Sequence, residues 1–302
     1  MGLITEPCTD NRLFHLWLKL TMLLCVVSPQ VVAQSEQVQA LQDPARQVHW
    51  AMGAFFGTGW YQVDENRSMY IFRIPPRQTL QESSLDENGK RTLGIQLQYP
   101  LTFGLHDLDK LPDFVDFDNF ATVSFTPGIQ LEIPVTKKWY LRPYINIGWG
   151  AETNSSDSAW IYYAGVRSRY RLGNENVRWS LLNEVNFAGY KPEFENRGKF
   201  GALMTGLEFN QPLRRFQANG DDLFLNWHFT HNYFFDRLNL HLDDDRVESI
   251  NDQWELGLAL GRGNKRFKFW FFSFEQLGLS YKWSSNSRYK AITINLQSPF
   301  SR

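Results

Sequence analysis

Residues 254–261 read Trp-Glu-Leu-Gly-Leu-Ala-Leu-Gly, and that alternation decides the fold. Successive side chains of an extended strand point to opposite faces. Trp254, Leu256, Leu258 and Leu260 therefore share one face, and Glu255, Gly257, Ala259 and Gly261 the other. The same pattern recurs upstream, where Leu93, Ile95, Leu97, Tyr99, Leu101 and Phe103 alternate with Thr92, Gly94, Gln96 and Gln98. It continues through 121–133, 160–166, 223–235 and 292–300. A water-soluble β-sandwich, the soluble alternative, would carry many charges on its polar face. Here that face is rich in Gly, Ser, Thr, Asn and Gln, which suits a narrow polar lumen behind an apolar wall. The pattern predicts an all-β chain folded as an antiparallel up-and-down transmembrane β-barrel of about twelve strands.

Coarse strand bounds fall at 49–62, 67–75, 91–104, 118–134, 139–150, 158–171, 177–190, 198–211, 223–236, 250–261, 267–283 and 288–300. Connections at 135–138, 172–176 and 261–266 are short and basic, whereas 105–117 and 237–249 are longer and acidic, with Asp243-Asp244-Asp245 the densest run. Short inner turns and longer outer loops are the asymmetry of an outer-membrane barrel. Residues 75–90 depart from it, being a long polar stretch where a short turn is required.

Tryptophan spacing gives a geometric check. Trp50 and Trp60, like Trp139 and Trp149, are ten residues apart and so share a face. Ten residues at about 3.3 Å, tilted about 40°, project to roughly 25 Å, the height of an outer-membrane apolar band. These four form the expected aromatic girdle. Composition agrees, since aromatics make up 16% of the 302 residues while mean hydropathy is −0.40. No apolar run after the N-terminus approaches the roughly 20 residues of a membrane helix.

Arg12 and Lys19, the apolar run Leu20–Val27 and the Val31-Val32-Ala33 end read as a signal peptide over 1–33. A start at or near Met22 would weaken that reading without removing it. Both cysteines, Cys8 and Cys25, fall in this leader, and Met22-Leu23-Leu24-Cys25 lacks the small residue of a lipobox. Residues 34–48 form a short periplasmic or lumenal segment, in which Asp43-Pro44 would stop any helix, and 49–302 the barrel. A net charge of −1 argues against nucleic acid as a partner. The expected partners are outer-membrane lipids and lipopolysaccharide, with a cell outer-membrane location and a monomeric state.

The closing segment Tyr289-Lys-Ala-Ile-Thr-Ile-Asn-Leu-Gln-Ser-Pro-Phe300 resembles the terminal strand read by the barrel-assembly machinery, although Ser301 and Arg302 follow its aromatic end. With twelve strands and a short N-terminal segment, the chain resembles the solitary outer-membrane autotransporter-like β-barrel family. That resemblance implies a translocator-type barrel without a passenger, a structural or narrow-channel role, the assembly machinery as a partner during biogenesis, and no catalytic activity.

The enzymatic alternative is an outer-membrane lipid hydrolase, whose family sets a His and a nucleophilic Ser two apart on one strand with an orienting Asn. The nearest match is His228 and Thr230 with Asn226 or Asn232 on the same face, but Thr replaces Ser and the pair faces the lumen. His231 falls on the apolar face beside Tyr233. No metal-ligating spacing occurs in the mature chain and no cofactor is expected. Asp107, Asp109, Asp113, Asp116 and Asp118 suit a solvated acidic loop better than a cation site. The most distinctive charges are Arg167, Arg169 and Arg171 on one face of a strand, with Arg142 and Arg178 on the polar faces of its neighbours. Glu132, Glu184, Glu208 and Glu255 have the parity to meet them in the lumen, either as a network that fills it or as the lining of a selective pore.

Overall fold

The computed structural model describes residues 57–63, 67–106, 120–152, 158–173, 178–192, 198–218, 221–241, 247–262, 267–269 and 272–298. The chain divides into two units, Met1–Asp43 and Pro44–Arg302, and every described residue belongs to the second. The expected signal peptide, the 34–48 segment, Trp50 and the aspartates of 107–118 and 243–245 lie outside the described residues.

Among the described residues nineteen strands form. They are β1 (Gly59–Val63), β2 (Arg67–Ile74), β3 (Arg77–Gln81), β4 (Ser84–Leu85), β5 (Arg91–Thr92), β6 (Gly94–Gln98), β7 (Leu101–His106), β8 (Phe120–Phe125) and β9 (Gly128–Pro134). There follow β10 (Trp139–Glu152), β11 (Ser158–Gly173), β12 (Arg178–Pro192), β13 (Gly198–Ala218), β14 (Asp221–His241) and β15 (Val247–Gly261). The last four are β16 (Phe267–Phe269), β17 (Phe272–Phe274), β18 (Gln276–Trp283) and β19 (Tyr289–Asn295). Twelve of them close a ring in the order β11-β12-β13-β14-β15-β18-β19-β1-β2-β7-β8-β10 and back to β11. All its pairings are antiparallel, and the first and last strands meet where Gly59 faces Thr293 and Val63 faces Tyr289. Below, the end of the ring at 284–288 is called upper and the end at 135–138 lower.

Three ring strands bend at prolines and continue downward: β2 into β3 at Pro75-Pro76, β7 into β6 at Pro100, and β8 into β9 at Pro127. Proline has no N–H to give the ladder, but its carbonyl still accepts. Tyr99 N donates to Pro76 O at 2.9 Å, Thr126 N to Pro100 O at 3.0 Å and Ile147 N to Pro127 O at 3.0 Å, so pairing crosses all three bends. The long polar stretch 75–90 is thereby corrected: it contains β3, a continuation of the wall, before the β4–β5 hairpin. Two other expectations change. Residues 267–283 are a β16–β17 hairpin followed by β18 rather than one strand. Residues 237–249 are not an open loop, because β14 runs to His241 and β15 resumes at Val247.

Burial is inverted relative to a water-soluble protein. Leu258 is 52% exposed, Leu279 60% and Phe187 58%, while the inward-facing Glu255 is 3% and Lys282 2%. The core is the lumen. Its upper half holds an apolar cluster including Tyr61, Ile71, Ile161, Phe234, Ile250 and Tyr289. The polar lumen expected from composition is corrected in part: its upper half carries this apolar cluster beside buried polar groups such as Thr122 and Ser284.

Candidate functional site

The lumenal charges come from strands whose odd or even parity turns them inward. On β11, Trp160, Tyr162 and Val166 are exposed outward, which turns Arg167 and Arg169 inward. Arg167 stands opposite Glu184 of β12 in the ladder. Its Nε donates to Glu184 Oε2 at 3.0 Å, its Nη1 to Gln130 Oε1 at 2.9 Å, and its guanidinium lies 4.1 Å from the centre of the Tyr144 ring. Tyr144 donates its hydroxyl to the other oxygen of Glu184. Arg169 reaches past β12 to Glu208 of β13 at 3.4 Å, and Asn226 and Ser298 also donate to Glu208. Lower still, Arg142 pairs with Glu132, which accepts from Ser83 as well.

Two of the expected lumenal cations are elsewhere. Arg171 and Arg178 lie exposed at the lower rim, Arg171 with its guanidinium 5.1 Å from the centre of the Tyr140 ring. They have inward parity but sit at strand ends, where the lumen opens and a long side chain reaches water at little cost.

Glu255 on β15 holds a third centre, with Lys282 Nζ 3.3 Å from Oε2 and His228 Nε2 3.1 Å from Oε1. Ser280 Oγ is 3.3 Å from the same His228 nitrogen. A Ser-His-acid relay needs the carboxylate on one ring nitrogen and the hydroxyl on the other. Here both meet Nε2, so this arrangement does not provide that relay. Thr230 is 1% exposed and its Oγ1 has no hydrogen-bond partner among the described residues, His228 included. The residues of the hydrolase alternative are thus gathered in the lumen without a nucleophile–base contact.

Sequence reasoning missed Arg73. From β2 its Nη2 crosses to the hydroxyl of Tyr163 on β11 at 3.1 Å, bridging the lumen. Parity alone could have placed it inward. A cavity of about 70 Å³ remains among Arg73, Tyr163, Glu184, Asn232, Glu255 and Lys282, room for a few water molecules. With Arg167, which also lines it, three cations face the two carboxylates, so their charges largely cancel.

On the outer face, Trp139 and Trp149 share the outward side of β10, Trp149 half exposed and opposite Trp160. Trp60 turns outward between Ile292 and Tyr70. Sequence spacing did not reveal a further run, in which Phe209 stands between Trp179 at 4.5 Å and Trp227 at 6.0 Å, centre to centre. His231 also faces outward, its ring 4.1 Å from that of Trp254.

No known family model matches the sequence, and no curated protein matches it. Among solved structures the chain is similar to the β domain of the Bordetella autotransporter BrkA. That likeness has a TM-score of 0.44 and 13% identity, covering 78% of this chain and 91% of that one.

Proposed function

We propose that this chain is an integral outer-membrane β-barrel with a structural, translocator-like role, whose lumen is packed rather than open and which carries out no catalysis. The observation that carries the reading is the inverted wall. Leucine, tryptophan and phenylalanine side chains stand exposed around a closed ring while carboxylates, amides and ammonium groups are buried within it. In water that surface would aggregate, whereas in a bilayer it is the required one, and closure leaves no unpaired strand edge in hydrocarbon. The expected lipid and lipopolysaccharide partners and the barrel-assembly machinery belong to this proposal. So does export by a cleaved leader.

Occlusion is supported by the two kinds of filling. The apolar cluster closes the upper half, and the Arg73–Tyr163, Arg167–Glu184 and Arg169–Glu208 contacts occupy the middle and lower levels. A narrow channel is the second reading, favoured by the charged cavity between those levels. Cell fractionation tests the main proposal. The protein is expected in the outer membrane, migrating differently on gels before and after boiling, as a detergent-resistant closed barrel does. Recovery from the soluble periplasm without a mobility shift would overturn it.

A further inference from the structure

Access to water does not by itself account for the cations gathered at the lower mouth of the barrel. Arg171 of β11 stands opposite Ser180 of β12, and Gly173 opposite Arg178. The two arginines are therefore diagonal neighbours on one face, with Cα atoms about 7–8 Å apart, a separation that long side chains can bridge. Ser180 is already engaged, its hydroxyl accepting from Arg169 Nε at 3.3 Å, and Gly173 has no side chain to offer. Both arginines are exposed.

Their charge is not balanced locally. Arg142, Arg169 and Arg178 all repel the charge on Arg171. Arg142 and Arg169 are paired with carboxylates of their own, Glu132 and Glu208. Neither Arg171 nor Arg178 meets a carboxylate among the described residues, and the named contact of the Arg171 guanidinium is the Tyr140 ring. With Glu175 of the connecting turn counted from the sequence, four arginines stand against three acids. Lys137 and Lys138 add to the excess from the exposed neighbouring turn, where Arg171 N donates to Lys138 O at 2.7 Å. Like charges at neighbouring sheet positions destabilise, and an anion held between them reverses that cost.

We propose that Arg171 and Arg178 are the two arms of a binding site for a phosphate monoester or free phosphate. Each guanidinium presents a fork of N–H donors matched to an oxyanion. One fork satisfies both oxygens of a carboxylate, whereas a phosphate monoester has three acceptor oxygens and close to two negative charges, enough for both arms. Tyr140 supports the Arg171 arm from the side away from that ligand. Trp179, the outward neighbour of Arg178, is 43% exposed and packs on Phe209, which on the membrane reading sets the site at headgroup depth. The phosphate can then come from a lipid such as phosphatidic acid in the adjoining leaflet or from solution, and the chemistry of recognition is the same.

Equilibrium dialysis of labelled inorganic phosphate against the full chain folded in detergent micelles, at constant ionic strength, tests the site. Saturable binding of one phosphate per chain is expected. Arg171→Gln with Arg178→Gln is expected to weaken it about tenfold or more, and either single variant by less, with the boiling-dependent gel shift retained. Absence of saturable binding, equal displacement by acetate or chloride, or unchanged affinity in the gel-shifting double variant would overturn the site. Phosphatidylcholine vesicles carrying phosphatidic acid then separate the sources. Loss of labelled phosphate from the inserted protein supports the lipid as ligand, and its retention supports a soluble one. Protein that does not insert would remove the membrane reading and leave the site standing, because the micelle titration needs only the folded rim.

Discussion

Replacing Arg167 by Gln perturbs the lumen at its most connected point. The side chains of Arg167 and Glu184 are 12% and 8% exposed, and their contact at 3.0 Å is reinforced by Tyr144 on the carboxylate and Gln130 on the guanidinium. Arg167→Gln leaves the Glu184 carboxylate buried with only a phenol hydroxyl among its named partners. Removing one member of a buried pair costs about 3–5 kcal/mol, mostly from the charge left behind. Loss of the Arg167–Tyr144 stacking adds about 1 kcal/mol. The double variant Arg167→Gln, Glu184→Gln removes both charges and keeps similar side-chain volumes, so it is expected to recover most of that loss, since a buried pair replaced together is often near neutral. Arg171→Gln, at the exposed rim, is expected to change stability by less than about 0.5 kcal/mol. Urea unfolding in lipid vesicles, followed by tryptophan fluorescence and by the gel shift, measures all three. If Arg167→Gln proved as mild as Arg171→Gln, or the double variant were worse than the single one, the lumen would be wet at this level and the pair would not fill it.

Three further outcomes follow from the same geometry. Planar-bilayer recordings of the unmodified protein are expected to show little conductance, and Tyr289→Ala with Phe234→Ala, which removes two rings from the upper apolar cluster, is expected to raise it; steady anion-selective conductance in the unmodified protein would contradict the packed lumen. Gly148→Ala is expected to impair barrel assembly or cost about 1–3 kcal/mol, because a Cβ there would come 1.9 Å from the Phe125 carbonyl oxygen beside the Pro127 bend. The unmodified protein is expected to hydrolyse no phospholipid or lipid A in detergent, and turnover that disappears in His228→Ala would restore the enzymatic reading.

Period-two alternation made the ring legible, because lipid-facing and lumen-facing positions must differ in polarity on every strand. It also showed that Arg167, Arg169, Glu184 and Glu208 share the inner face. It could not assign partners: Arg167 meets its direct ladder neighbour, yet Arg169 stands opposite Leu182 and reaches Glu208 one strand farther on. Register comes from turn geometry and closure of the whole ring. The apolar half of the lumen was hidden where alternation fails, as in Trp160-Ile-Tyr-Tyr163, where both faces are apolar and Ile161 points inward. Pro75-Pro76 misled because a missing N–H reads as the end of a strand, while the Pro76 carbonyl that continues the ladder leaves no mark in the sequence; the strands expected at 91–104 and 118–134 run through Pro100 and Pro127. Ser168, Asn183, Thr205 and His231 stand opposite one another on β11 to β14 as a polar row on the outer face, visible only once four strands are aligned.

The central claim is that alternate residues of each strand face lipid. Single spin labels at Leu256, Leu258 and Leu260, compared with labels at Gln253 and Ala259 in reconstituted protein, test it most directly. The account predicts high accessibility to molecular oxygen at the three leucine positions, where lipid concentrates it, and low accessibility at Gln253 and Ala259 inside the packed lumen. Leucine positions that instead favour a water-soluble relaxation agent over oxygen, with no two-residue period, would contradict a membrane-spanning barrel.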